Sequence, residues 1–131
     1  MRRLVLTIGA TIIAASPAAA IDVRFERTLR MLAPAERLEQ LCDYTAMQQI
    51  RKEHKSFRPD RVVAGAGADP QIQERTHTVV AKSAAFRSRK KWYALTYSCT
   101  AAADHMAVTS FSYSLGEEIP ESKWASYGLW D

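Results

Sequence analysis

Asp104 and His105 stand side by side, and a carboxylate next to an imidazole supplies two of the three groups a serine hydrolase needs. The third, a serine sharpened by a G-x-S-x-G elbow, has no counterpart in the sequence. In a short polar link between apolar runs, the Asp-His pair reads as a solvent-facing turn. His54, His77 and His105 are scattered, with no H-x-x-x-H or C-x-x-C spacing, so no metal-ligand set stands out. Glu117 and Glu118 could share acid-base work only across a cleft, and as neighbours they read as a solvated edge. The "GAGA" at 65 to 68 lacks the third glycine and the following helix of a dinucleotide cradle, and reads as a tight turn. The sequence therefore indicates no catalytic residues, no metal and no cofactor.

A different signal lies in "FRSRKKWYALTYSC", residues 86 to 99, where Arg87, Arg89, Lys90 and Lys91 run into Trp92. Cations at the start of a strand keep a sheet edge soluble and block pairing with another sheet. The same residues, with Arg51, Lys52, Lys55, Arg58 and Arg61, would also make one basic face beside an exposed Trp92, the mixture that recognition surfaces favour. Both readings fit the sequence.

What must position these residues begins after a leader. Arg2 and Arg3, the uncharged run from Leu4 to Ala15, and Ser16-Pro17-Ala18-Ala19-Ala20 together form a secretory signal peptide over residues 1–20, too short in its apolar part for a membrane span. The remaining 21–131 suit one domain with one modest core. They hold sixteen Lys and Arg against fourteen Asp and Glu, a net +2, so the basicity of the whole chain is partly that of the leader. Cys42 and Cys99 are the two cysteines, and in an oxidising compartment they read as a structural disulfide rather than a redox pair.

Pro34 and Glu36 open an amphipathic helix whose apolar positions, Leu38, Leu41, Cys42, Met47 and Ile50, lead to a basic end at Lys52 to Lys55. Residues 21 to 31 form a weaker helix or an N-terminal arm. A short β segment at 61–64, a strand at 74–82, a strand at 91–100 and another at 106–115 follow, with a hairpin loop at 101–105. In the strand at 91–100, Tyr93, Leu95, Tyr97 and Cys99 face one way and Trp92, Ala94, Thr96 and Ser98 the other. A helical turn entered at Pro120 and closed near Gly128 docks an aromatic C terminus. The fold class is α+β: an N-terminal amphipathic helix on a small antiparallel sheet, with a short C-terminal helical turn.

"RLEQLCDYTAMQQI", "PDRVVAGAGADP", "AAFRSRKKWYALTYSC" and "VTSFSYSLGEEIPESKWASYGLW", in that order, resemble the DUF930 family of exported alphaproteobacterial proteins of unknown function. The resemblance implies a periplasmic home and brings no catalytic residues. The reading is then a small disulfide-braced periplasmic binding module. Its partner is an envelope protein, a lipid or a cell-wall component, contacted through Arg87, Arg89, Lys90, Lys91 and Trp92; nucleic acid is excluded by export. The alternative is an enzyme acting on an envelope component with His77, His105, Glu117 and Glu118 gathered by folding.

Overall fold

A computed structural model describes residues 22–131; the leader read at residues 1–20 lies outside them. Asp22 accepts the backbone N–H of Arg24 at 2.9 Å and so caps helix α1, Val23–Met31. Glu26 and Arg30, one turn apart, pair at 2.8 Å along its exposed side. Helix α2, Pro34–Glu53, follows almost at once, with Pro34 in its first turn and Arg51 and Lys52 in its last. Arg37 of α2 reaches back to accepting carbonyls of Leu29 at 2.9 Å and Leu32 at 3.0 Å, and so binds the end of α1 to the start of α2. Leu38, Leu41, Cys42 and Ile50 form the buried stripe of α2, as the helical spacing predicts, but Ala46 takes the place read for Met47, which is half-buried.

Five antiparallel strands make one sheet: β1 Pro59–Val63, β2 Gln71–Gln73, β3 Thr78–Ser88, β4 Lys91–Ala101 and β5 Val108–Glu118. Their order is β1-β3-β4-β5, with β2 beside the first half of β3. The α+β reading holds, and so does the division of β4, where Leu95, Tyr97 and Cys99 enter the main core beneath α2 and Tyr93 packs against it.

The strand bounds differ where the usual signals fail. β3 starts at Thr78 rather than 74, because residues 74–77 form a turn that ends at His77 with φ 57°. It then runs on to Ser88, with both of its faces covered: Phe86 lies under α2 and Ala85 on the opposite side, which erases the two-residue alternation. β1 begins at Pro59, a residue tolerated at the start of an edge strand. β2 is three residues long with polar ends and gave no sequence signal. β5 continues past Leu115 to Glu118 through a register shift, with Gly116 so close to Ala94 that a Cβ there would lie 2.8 Å from the alanine Cβ.

Two 3-10 turns, Glu121–Lys123 and Ala125–Tyr127, end at Gly128 in the left-handed region and dock the C terminus as expected. Trp124, Tyr127 and Leu129 join Ala66, Ala85 and Trp92 in a second core on the sheet face away from α2. Tyr127 lies on Gly67, where a Cβ would come within 2.9 Å of the ring and where φ is +88°. The glycines of "GAGA" thus give the C-terminal segment a seat.

Cys42 of α2 and Cys99 of β4 are joined by a disulfide with a Cα–Cα distance of 6.0 Å. The bond closes a loop across a sequence separation of 57, a constraint on the unfolded chain of roughly 4 kcal/mol. Urea titrations of the oxidised protein and the Cys42→Ala/Cys99→Ala variant are expected to differ in unfolding free energy by about 2 to 4 kcal/mol.

Candidate functional site

The basic run spans a hairpin: Arg87 lies near the end of β3, Lys91 opens β4 as the strand-start reading has it, and Arg89 and Lys90 form the tip. Ser88 pairs with Lys91, so Arg89 and Lys90 are a two-residue turn, with φ values of 51° and 66°. Positive φ at both central residues is the geometry that fits the twist of a hairpin, and Asn-Gly is the pair that adopts it at least cost. Here two long cations occupy it and are held out into solvent. Arg87, the last but one residue of β3, is committed instead. Its Nε and Nη2 donate to the two carboxylate oxygens of Asp60 at 3.0 and 2.8 Å, and its guanidinium lies 5.9 Å over the Trp92 ring. The paired guanidinium holds the Asp60 carboxyl below the usual range. Lys91 pairs with Glu118 across the exposed strands at 3.4 Å.

Trp92 does not belong to an exposed face. Its ring is completely buried, packs edge-on against Trp130, and donates its indole N–H to the Trp130 carbonyl at 2.6 Å. The strand alternation assigned it correctly to the face opposite Leu95, but the C-terminal segment covers that face here. A buried tryptophan whose N–H is satisfied works as packing.

The other cations named with this run gather at the same end. Arg51 donates to the Pro59 carbonyl at 2.9 Å, and the Arg58 backbone N–H donates to Ser88 Oγ at 2.8 Å, which ties the loop after α2 to the hairpin. Arg61 lies directly across from Arg87. An open groove of about 560 Å³ runs between the end of α2 and β1, lined by Arg51, Lys55, Phe57, Arg58, Pro59 and Asp60. Nine of the sixteen Lys and Arg of the described chain, at 51, 52, 55, 58, 61, 87 and 89–91, therefore share one end with five carboxylates, Glu53, Asp60, Glu117, Glu118 and Asp131. Ion pairs among the described residues engage two of those nine, Arg87 and Lys91.

His77 and His105, by contrast, come together at the other end. His105 is not a solvated turn residue: it is 4% exposed, and its Nδ1 lies 2.8 Å from the Pro34 carbonyl. A carbonyl only accepts, so this nitrogen carries a proton, and in the neutral imidazole His105 Nε2 is then the acceptor for His77 Nδ1, 2.9 Å away. Both residues have φ of 57°. The pair fastens the β4–β5 loop and the turn before β3 to the start of α2. Neither histidine lines any of the five grooves described on the molecule. Glu117 and Glu118 lie at the far end of β5, so folding divides the four residues of the enzymatic alternative between two ends. Among the described residues, no group of three His, Cys, Asp or Glu side chains is placed to hold a metal ion, and no helix is long and apolar enough to cross a membrane.

A family model for DUF930, a domain of unknown function, matches residues 29–129. The chain belongs to this family. No curated protein and no solved structure matches it. The DUF930 match covers the cysteine pair, both histidines, the basic hairpin and nearly all of the C-terminal segment that buries Trp92.

One titratable pair went unremarked in the sequence because it joins distant elements. Asp43, next to Cys42 on α2, accepts the Tyr97 hydroxyl at 2.6 Å from β4. Burial pushes the Asp43 carboxyl up to about 7; the Tyr97 hydrogen bond opposes the rise and Glu39 adds to it. Burial and the neighbouring carboxylate likewise push the Tyr97 hydroxyl up. Because the folded pKa of Asp43 exceeds the unfolded value, the folded state binds the proton more tightly. This carboxyl costs nothing at low pH, and stability falls as pH rises from about 4 to about 7, by a few kcal/mol at most. Asp43→Asn keeps an acceptor for Tyr97, and its urea-unfolding free energy is expected to exceed that of the wild type at pH 8 and to lack that decline.

Proposed function

We propose that this DUF930 protein is a non-enzymatic binding module of the cell envelope whose basic end docks on an anionic partner. The observation that carries the reading is the concentration of nine cations at one end of a domain whose residues, 21–131, carry a net charge of only +2. A net charge this small gives weak long-range attraction, whereas a local cluster gives strong short-range attraction. Arg89 and Lys90 project from a two-residue turn, and Lys55 and Arg58 border the adjoining groove, so the backbone already holds the four charges on one surface. Arg87 has a different part. Its bidentate bond to Asp60 and its place over Trp92 brace the hairpin base, so it supports the surface rather than supplying the free charge. The disulfide accords with an oxidising compartment, and anionic phospholipid head groups, lipid A phosphates and cell-wall carboxylates are the polyanions such a compartment offers.

The hairpin geometry supplies a clean test. Replacing Arg89 by Asn and Lys90 by Gly removes two charges while installing the residues this turn prefers, so the variant is expected to be more stable than the wild type by about 1 kcal/mol. Combined with Lys55→Gln and Arg58→Gln, it is expected to lose at least about tenfold in affinity for phosphatidylglycerol vesicles or isolated cell-wall sacculi in co-sedimentation at low salt. Equal sedimentation of the wild type and the fourfold variant, or none by either, contradicts the proposal.

A further inference from the structure

The two edges of the sheet are treated differently. On one side, β1 starts with Pro59, shifts register between Pro59 and Arg61, and carries Asp60 and Arg61, while β2 is only three residues long. Proline, irregularity, charge and shortness are the devices that stop an edge from pairing with another chain. β5, the other edge, has none of them along most of its length. It is eleven residues long, free of proline, and without a charge from Val108 to Leu115. Its pairing with β4 is regular from Leu95↔Leu115 to Thr100↔Ser110, which leaves alternate backbone groups of β5 directed outward.

A groove of about 410 Å³ runs beside this edge, between β5 and α2, with Leu41, Tyr44, Thr45 and Gln48 on its helix side and Val108 and Phe111 on its strand side. None of the ten residues lining it is Asp, Glu, Lys or Arg, although thirty of the 110 described residues are. Depletion of charge beside an open hydrogen-bonding edge is the composition of an interface centre.

We infer that β5 pairs antiparallel with β5 of a second copy of this chain about a two-fold axis, continuing one sheet through both copies. Two observations favour a second copy over a foreign strand. At a two-fold axis the central residue meets its own counterpart and its near neighbours meet one another, so like charge at the centre of a self-pairing edge is repelled, and Ser110 to Ser114 carries none. Antiparallel pairing also separates like ends. The Glu118 end of β5 adjoins the basic hairpin through Lys91, so the nine-cation end of one copy comes beside the opposite end of its partner. Outside the basic end the described residues hold seven cations and nine carboxylates, and the approach is one of unlike charge.

Sedimentation equilibrium of the exported full-length gene product, with Ser112→Lys and Gln48→Lys as variants, tests this. Ser112 is exposed and Gln48 lies on the helix surface, so both lysines are tolerated by the fold, which the urea midpoint checks. The wild type is expected to show twice the chain mass at about 50 µM, and each variant to dissociate at least about tenfold more readily. Backbone amides from Ser110 to Ser114 are expected to exchange more slowly as wild-type concentration rises. A wild type of single-chain mass at that concentration overturns the inference, even if its β5 amides become protected on adding envelope extract. A double mass that both lysines leave intact overturns it as well.

Discussion

The contact between α2 and β4 carries the rest of the molecule. Cys42 and Asp43 are consecutive residues on α2, and they meet Cys99 and Tyr97, which point the same way from alternate positions on β4. One bond is covalent and the other is a short hydrogen bond to a buried carboxyl, so helix and central strand are fixed in angle as well as distance. Leu38, Leu41, Ala46 and Ile50 close on Phe86 and Leu95 around that point. The arrangement has a cost, because the carboxyl is buried without a cation and its charged form is disfavoured.

With the helix fixed on one face, the two ends of the molecule acquire different characters. At one end the start of α2 is fastened through His105 and His77 to the loops, and Arg37 closes α1 onto it. At the other end the last turn of α2, β1 and the β3–β4 hairpin converge, bringing the cations of residues 51–61 and 87–91 within one surface. The opposite sheet face is covered over only part of its area. Trp92, Ala85 and the C-terminal turns fill the half next to the basic end, while Thr96, Ser98, Ser112 and Ser114 stay exposed on the other half.

Much of this was legible in the residues. Pro34 and the 3.6-residue spacing placed α2, the alternation from Lys91 to Thr100 placed β4 and its two faces, and the paired cysteines placed the bond between them. What escaped had a physical reason in each case. Burial on both faces hid the second half of β3, and turns normally announced by Asn-Gly were hidden by Arg89 and Lys90 in left-handed conformations. Trp92 was correctly placed on its face, but whether that face meets solvent depends on residues some thirty positions later. The Asp43–Tyr97 and His77–His105 pairs leave no spacing signal, since each joins residues of different elements.

The central claim is that the basic end is a preformed anion-binding surface built from the hairpin tip and the loop after α2. Titration of ¹⁵N-labelled protein with a soluble polyphosphate, followed by amide chemical shifts, tests it most directly. Shifts confined to Lys55, Arg58 and the Arg89–Lys90 turn are expected, suppressed by salt, with the β4 amides near Cys99 unmoved. Shifts centred on the His77–His105 end or on the serine and threonine face, or none at any concentration, would contradict it.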